Sequence, residues 1–67
     1  MEIFAKNLRK ARENAKLTQE QMAERLSIPF HTYRNYEFTN ANHREPDQKM
    51  LVLIARVLGI SINKLFE

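Results

Sequence analysis

The sequence contains no cysteine, no long apolar run and no signal-peptide segment. Without cysteine, a disulfide framework and a thiolate metal site are excluded, and residence in a reducing compartment is permitted. The longest apolar run, residues 50–55, is much shorter than the about 20 residues that span a bilayer. The N-terminal segment lacks the apolar stretch of a secretion signal. We therefore expect one small cytoplasmic domain over residues 1–67, without membrane association.

The charge of the chain is moderately basic and is concentrated near the N-terminus. Eleven Lys and Arg outnumber eight Asp and Glu, which gives a formal net charge of +3. The N-terminal basic residues are Lys6, Arg9, Lys10, Arg12 and Lys16. A basic surface suits a polyanion partner, but it also serves simply to keep a small protein soluble. The two histidines, His31 and His43, are too few for a metal site, and we expect both on the surface.

Apolar residues recur at helical spacing along most of the chain, and no segment has the alternation of a strand. Asp47 is the predicted N-cap of one helix, and Gly59 is the predicted stop of the same helix. The expected fold is therefore all-α, a compact bundle of five helices. The predicted helices cover about residues 2–15, 18–27, 29–37, 48–58 and 62–67.

The stretch from Thr18 to Glu37 predicts two short helices joined by a tight corner. Thr18 and Gln21 match a capping box, in which each side chain hydrogen-bonds to the backbone N–H of the other residue. Pro29 disfavours helix for the residue before it, yet it suits the first turn of a new helix. One helix must therefore end before Pro29, and a second helix begins there.

The second of these helices, at about 29–37, has two chemically different sides. Tyr33 and Tyr36 lie on its inner side. The outer side and its flanks carry Phe30, His31, Thr32, Arg34 and Asn35. A helix with donors, acceptors and a positive charge on one side fits the major groove of DNA, where base edges present a readable code. An ordinary amphipathic helix with a solvated polar face has the same periodicity.

Arg12 lies at the edge of the apolar stripe of the first predicted helix, which is an unusual place for a charge. An unpaired buried charge is costly, so a buried Arg12 requires a carboxylate partner. The alternative is that its aliphatic stem lies along the surface while the guanidinium reaches water.

These features together resemble the phage repressor and Cro-type helix-turn-helix family, also called XRE-like. The run from Leu17 to Leu26, LTQEQMAERL, matches the family pattern L-T-Q-E-x-[LM]-A-x-x-L. Tyr36-Glu37 stands where the family often has Trp-Glu, and the run LGIS at 58–61 also matches. The resemblance covers almost the whole chain. It implies a lambda-repressor-like DNA-binding domain and a sequence-specific double-stranded DNA-binding protein, a transcriptional regulator (repressor) of phage or bacterial type.

The resemblance also assigns roles to individual positions. It places Arg12 and Glu37 in a structural ion pair between the first and third helices, which supplies the partner that Arg12 requires. The predicted base contacts are Phe30, His31, Thr32 and Asn35. The predicted phosphate contacts are Gln19, Arg34, Arg44, Arg9 and Lys10. The resemblance places a two-fold contact in the C-terminal region, where Leu53 stands in place of a residue that is charged or polar in many family members. We expect Leu53, Ile62 and Phe66 to form the interface of a weak homodimer on a roughly palindromic operator. The alternative is that they are single exposed apolar residues, which are normal on any protein.

The chain departs from the family at several corners. Lys16, Ser27 and Thr39 stand where glycine is common. A residue other than glycine at positive φ costs about 1 kcal/mol, so these corners are expected to differ locally. The loop from Phe38 to Glu45 is also longer than usual, which leaves its phosphate contacts open.

Two function classes remain after these observations. No nucleophile–base constellation, Gly-rich phosphate loop or pair of carboxylates in an apolar setting is present, so we expect no enzymatic activity, cofactor or small-molecule ligand. The leading hypothesis is a DNA-binding regulator. The alternative is a protein-interaction module, such as an antitoxin-like partner with secondary DNA binding. Such a module has no reason to expose His31, Arg34 and Asn35 beside a basic first helix.

Overall fold

The structure is a computed structural model that describes residues 2–67. A 3-10 helix at Ile62–Leu65 follows four α-helices, and residues 2–67 contain no strand. The α-helices are α1 (Glu2–Asn14), α2 (Gln19–Leu26), α3 (Phe30–Tyr36) and α4 (Gln48–Leu58). The expected all-α class is therefore confirmed. Five helices were expected, and this count is wrong: the structure has four α-helices, and the predicted fifth is only a short 3-10 helix.

The predicted fifth helix is a single 3-10 turn because the segment has little to sustain an α-helix. The side chain of Ser61 makes no capping hydrogen bond. The segment closes through short-range backbone bonds, in which the N–H of Lys64 donates to the carbonyl of Ser61 at 3.1 Å and the N–H of Phe66 to that of Asn63 at 3.0 Å. Only Leu65 of the 3-10 helix is buried. Short segments of this kind commonly adopt 3-10 geometry.

The helix ends lie where local side-chain chemistry places them. Thr18 and Gln21 form the predicted capping box, with N···O distances of 3.0 and 2.8 Å. The carboxylate of Asp47 accepts the N–H of Met50 at 2.8 Å and caps α4, and Gly59 ends α4 at φ 68°. Pro29 is the N-cap of α3 rather than its first helical residue, and it supplies no side-chain hydrogen bond.

The core contains side chains from all four α-helices and from the 3-10 helix. Tyr33 of α3 is fully buried at 0% exposure and stands edge-on to the ring of Tyr36, with centroids 6.1 Å apart. The inner face of α3 is therefore aromatic, as its periodicity predicts. The remaining buried cluster consists of Phe4, Leu8, Met22, Ala23, Leu26, Ile54 and Leu65.

Two of the three corners where glycine was expected adopt the left-handed backbone conformation without glycine. Lys16 has φ 61° and Ser27 has φ 59°, whereas Thr39 is not at positive φ. At both left-handed corners the next N–H reaches back five residues, from Leu17 to the carbonyl of Arg12 and from Ile28 to that of Ala23. This pattern satisfies the last carbonyls of α1 and α2 at the expense of backbone strain.

We predict that Lys16→Gly stabilises the protein. Glycine adopts positive φ without steric strain, so the free energy of unfolding rises by about 1 kcal/mol. Urea denaturation measures this change. The matched control is Lys10→Gly, which removes the same side chain from within α1 and lowers the free energy of unfolding by about 1 kcal/mol. The prediction fails if Lys16→Gly leaves the free energy of unfolding unchanged or lowers it.

Candidate nucleic-acid interface

The outer side of α3 is open to solvent, and most of its side chains are polar. Phe30 is 42% exposed, His31 and Arg34 are exposed, and Thr32 and Asn35 are half-buried. The buried inner tyrosines lock the helix so that it presents this side outward. Of the four predicted base contacts, His31, Thr32 and Asn35 border one groove, whereas Phe30 borders a separate concavity that also includes Gln19.

A shallow groove runs between α3 and the loop that follows it. Its lining includes His31, Thr32 and Asn35 from α3, together with Arg44 and Glu45 from the loop. The N–H of Arg44 donates to the carbonyl of Asn35 at 3.0 Å, which ties the loop to the helix. The long loop thus forms the second wall beside the candidate base-reading residues, and it adds one positive and one negative side chain there.

Arg34 lies close to two aromatic rings. Its guanidinium carbon is 5.8 Å from the ring centroid of Phe30 and 5.4 Å from that of Phe38. These distances fall within the range of cation–π contacts. Phe30 was expected as a base contact, and the structure shows that its ring also contacts Arg34. Sequence periodicity could not reveal the contact between Phe38 and Arg34, because Phe38 lies beyond the end of α3.

Arg12 is buried and forms an ion pair with Glu37. The side chain of Arg12 is 11% exposed, and that of Glu37 is 3% exposed. The Nε of Arg12 donates to Oε2 of Glu37 at 2.7 Å, and Nη2 donates to Oε1 at 3.2 Å. Nη1 donates to the carbonyl of Leu17 at 2.7 Å. The guanidinium therefore does not reach into water, and the alternative with a solvated head group is wrong.

Two further donors converge on Glu37. The Nε2 of Gln19 donates to Oε1 at 3.0 Å, and the hydroxyl of Tyr33 donates to Oε2. Hydrogen bonding to Glu37, reinforced by its charge and opposed by burial, raises the pKa of Arg12. Burial, followed by the bond to Glu37, raises the pKa of Tyr33, so this hydroxyl keeps its proton and remains a donor. One carboxylate thus joins α1, α2 and α3.

The remaining predicted phosphate contacts lie in different places. Arg9 is exposed, pairs with Glu13 at 3.4 Å, and borders a concavity that also includes Gln19 and Phe38. Arg44 is exposed in the loop beside α3. Lys10 instead borders a separate concavity between α1 and the C-terminal segment. The structure therefore groups Arg9 and Gln19 on one side of α3 and Arg44 on the other, and it does not bring Lys10 together with them.

His43 is not on the surface, contrary to expectation, because its side chain is 2% exposed. Its Nδ1 lies 2.7 Å from the carbonyl oxygen of Phe38, and its ring stands edge-on to that of Phe4 at 6.3 Å. Its buried Nε2 has no hydrogen-bond partner in the described part of the chain, with Oε2 of Glu45 at 3.7 Å. The ring anchors the long loop to α1, a role that no local pattern signals.

The predicted dimer residues include two exposed apolar side chains. Leu53 on α4 is 39% exposed, Phe66 is 48% exposed, and Ile62 is half-buried. The ring of Phe66 stacks on Phe4 with centroids 5.3 Å apart, so one side of Phe66 packs on the core.

Among the side chains that the structure describes, residues 3–67, no group of three or more His, Cys, Asp and Glu is arranged to hold a metal ion. In the same range, every helix is too short or too polar to cross a membrane.

Comparison with known proteins identifies a family and several relatives. A helix-turn-helix family model matches residues 8–65. The chain is 40% identical over 65 residues to the uncharacterized HTH-type transcriptional regulator YqaE of Bacillus subtilis (strain 168), covering 97% of this chain and 53% of that protein. It is 34% identical over 61 residues to the uncharacterized HTH-type transcriptional regulator YobD of the same strain, covering 91% of this chain and 52% of that protein.

A third relative from the same strain is the SPbeta prophage-derived uncharacterized HTH-type transcriptional regulator YonR. It is 34% identical over 65 residues, covering 97% of this chain and 57% of that protein. The chain thus spans little more than half the length of the curated relatives it matches. No solved structure matches the chain at a significant level.

We predict that Arg12→Met destabilises the protein by about 3–5 kcal/mol, because it leaves the buried carboxylate of Glu37 without its charged partner. Urea denaturation measures the loss. Arg9→Met is the matched control, since the exposed Arg9–Glu13 pair contributes about 1 kcal/mol or less. Adding Glu37→Gln to Arg12→Met recovers part of the loss, because the stranded charge is gone. An unchanged unfolding midpoint for Arg12→Met contradicts the prediction.

Proposed function

The chain belongs to the helix-turn-helix family, and we propose that it binds a specific sequence of double-stranded DNA through α3 and regulates transcription there as a repressor. The observation that supports this proposal is the exposed outer side of α3, where hydrogen-bonding side chains line a groove while tyrosines hold the inner side. The curated relatives are named as transcriptional regulators. The proposed activity involves no chemical step and no cofactor.

In the proposed complex α3 enters the major groove, and its outer side chains contact bases. Asn35 has the amide geometry that pairs bidentately with adenine, and His31 donates to or accepts from a purine edge. Thr32 and the exposed part of the Phe30 ring pack against thymine methyl groups. Each good base contact contributes about 1–3 kcal/mol of discrimination.

Contacts to the DNA backbone orient the protein on the duplex. The capping box uses the N–H groups of Thr18 and Gln21. We propose that the N–H groups of Gln19 and Glu20 bind a phosphate, because a helix N-terminus favours anions. The side-chain amide nitrogen of Gln19 donates to Glu37 and fixes that end of α2. The proposed cationic phosphate contacts are Arg34, Arg44, Arg9 and Lys10.

Selection of bound duplexes from a random DNA pool tests the proposal. We expect enrichment of a short, roughly palindromic sequence, with an affinity that falls steeply as salt rises, at a log–log slope of about −0.9 per neutralised phosphate. Binding without enrichment rejects sequence-specific recognition. The absence of binding to any duplex rejects the proposal as a whole and favours a protein-interaction module.

We predict that Asn35→Ala relaxes the preference at one or two base pairs of the selected site while leaving the salt slope unchanged. Alanine preserves the helix, and the backbone carbonyl of Asn35 that accepts the N–H of Arg44 is untouched. Competition between matched and mismatched duplexes measures the effect. Arg44→Gln is the contrasting control, and it weakens binding to all sequences and lowers the salt slope by about 1. Uniform weakening by Asn35→Ala refutes its assignment as a base contact.

We further propose that two copies bind adjacent half-sites through Leu53, Ile62 and Phe66. A two-fold contact brings one surface against itself, so a small exposed apolar patch on one copy meets the same patch on the other. Helix-turn-helix dimers read half-sites about 34 Å apart, which requires a palindromic operator. The small patch implies a weak dimer that assembles on DNA.

We predict that Leu53→Glu abolishes cooperative binding to a two-half-site duplex and leaves binding to one half-site largely intact, because the two introduced carboxylates face each other across the two-fold axis. Titration of both duplexes by fluorescence anisotropy measures the difference. Val52→Glu is the matched control, since Val52 is also 39% exposed and lies one residue away around α4. Unchanged cooperativity in Leu53→Glu excludes this surface as the interface.

A further inference from the structure

Phe30, Arg34 and Phe38 form a cation–π stack, in which the guanidinium carbon of Arg34 lies 5.8 Å from the ring centroid of Phe30 and 5.4 Å from that of Phe38. The two aromatic residues come four positions before and four positions after the arginine. Among the described side chains, those of residues 3–67, no carboxylate forms an ion pair with Arg34. Its charge is therefore held by rings and not neutralised by an acid.

The stack leaves the hydrogen-bonding capacity of Arg34 unused. A guanidinium is planar, and its five N–H donors point outward in the plane while its faces are free to stack. Two rings within cation–π range thus hold the guanidinium without occupying its N–H donors. Because Arg side chains carry substantial rotamer entropy, such restraint lowers the entropic cost of forming a new hydrogen bond.

Phe38 is itself fixed from the core side. Its N–H donates to the carbonyl of Asn35 at 3.3 Å. Its carbonyl accepts a hydrogen bond from Nδ1 of His43 at 2.7 Å, and Nδ1 carries the proton because a carbonyl oxygen can only accept. The buried ring of His43 stands against Phe4 of α1. The backbone of Phe38 is therefore tied to α3 through Asn35 and, through the buried ring of His43, to α1.

A polar cleft opens beside the stack. Arg34, Phe38 and Arg44 border it, together with Asn35 and Asn42. The lining also includes the carboxylate of Glu45, so two cations and one anion leave the cleft with a net positive charge, and the two amides add hydrogen-bond donors. This combination suits a DNA phosphate, which accepts several hydrogen bonds and carries a negative charge.

We infer that Phe38 is a positioning residue for DNA binding, which together with Phe30 holds the Arg34 guanidinium with its donors directed at the DNA backbone. The inference rests on the proposed DNA-binding function. Phe38, the first residue of the long loop, thus affects the affinity for DNA only through Arg34. Phe38 itself contacts no base or phosphate.

A double-mutant cycle on the selected duplex tests this inference. Phe38→Leu is expected to weaken binding by about three- to tenfold and to lower the salt slope toward that of Arg34→Gln, because one ring of the stack is lost. Phe38→Tyr keeps the ring and is expected to bind within about twofold of the parent. In the Arg34→Gln background, Phe38→Leu is expected to change affinity by less than about twofold.

A measurement on the free protein does not depend on the folding of any variant. Protons of the Arg34 side chain that lie over aromatic rings are expected to resonate upfield of their unstructured positions in the parent. Signals at unstructured positions overturn the inference. The inference is also overturned if Phe38→Leu binds DNA as tightly as Phe38→Tyr. It is likewise overturned if Phe38→Leu lowers affinity equally with Arg34 and with Gln at position 34, because Phe38 then has a purely structural role. If the parent binds no duplex, the proposed function fails first, whereas the other outcomes leave it standing.

Discussion

The buried carboxylate of Glu37 determines how the first three helices are assembled. It accepts two hydrogen bonds from Arg12 of α1, one from Gln19 of α2 and one from Tyr33 of α3. A carboxylate offers about four lone-pair positions, so these four bonds satisfy it fully. Buried ion pairs of this kind roughly balance their desolvation cost, and their contribution is to orientation more than to net stability.

Orientation matters here because α3 has little stability of its own. It contains seven residues, and its N-cap, Pro29, makes no side-chain hydrogen bond. Isolated helices of this length are unstable in water, so α3 is held by packing and by its end contacts. Tyr33 and Tyr36 anchor its inner side, and Glu37 fixes its C-terminal end to α1 and α2. These internal contacts therefore determine the direction in which the outer side chains of α3 point.

The sequence predicted the regular elements and the chemistry of their ends well. Thr18 with Gln21, Asp47 and Gly59 signal helix ends locally, and the structure contains each of them as the pattern indicates. The resemblance to a family, rather than periodicity, identified Glu37 as the partner of Arg12. This difference is physical, because capping is local whereas the ion pair joins positions 25 residues apart.

The features that escaped prediction depend on the path of the 38–45 loop. Neither the burial of His43 nor the stacking of Phe38 on Arg34 follows from any periodic pattern, because a loop has none. The corners at Lys16, Ser27 and Thr39 were expected to differ from the family, because positive φ is strained without glycine. Lys16 and Ser27 nevertheless adopt the left-handed conformation, and Thr39 does not. A 3-10 turn in place of the last helix reflects a segment too short for propensity to decide.

In the proposed complex, the seven-residue length of α3 limits how many base pairs one copy contacts. At 1.5 Å per residue the helix is roughly 10 Å long, which matches about three base pairs at 3.4 Å each. A given three-base-pair sequence occurs by chance roughly once in 64 positions, whereas a genome offers about 10⁶ or more competing sites. Recognition of a unique site in a genome therefore requires the α3 helices of more than one copy to contact the DNA at the same time.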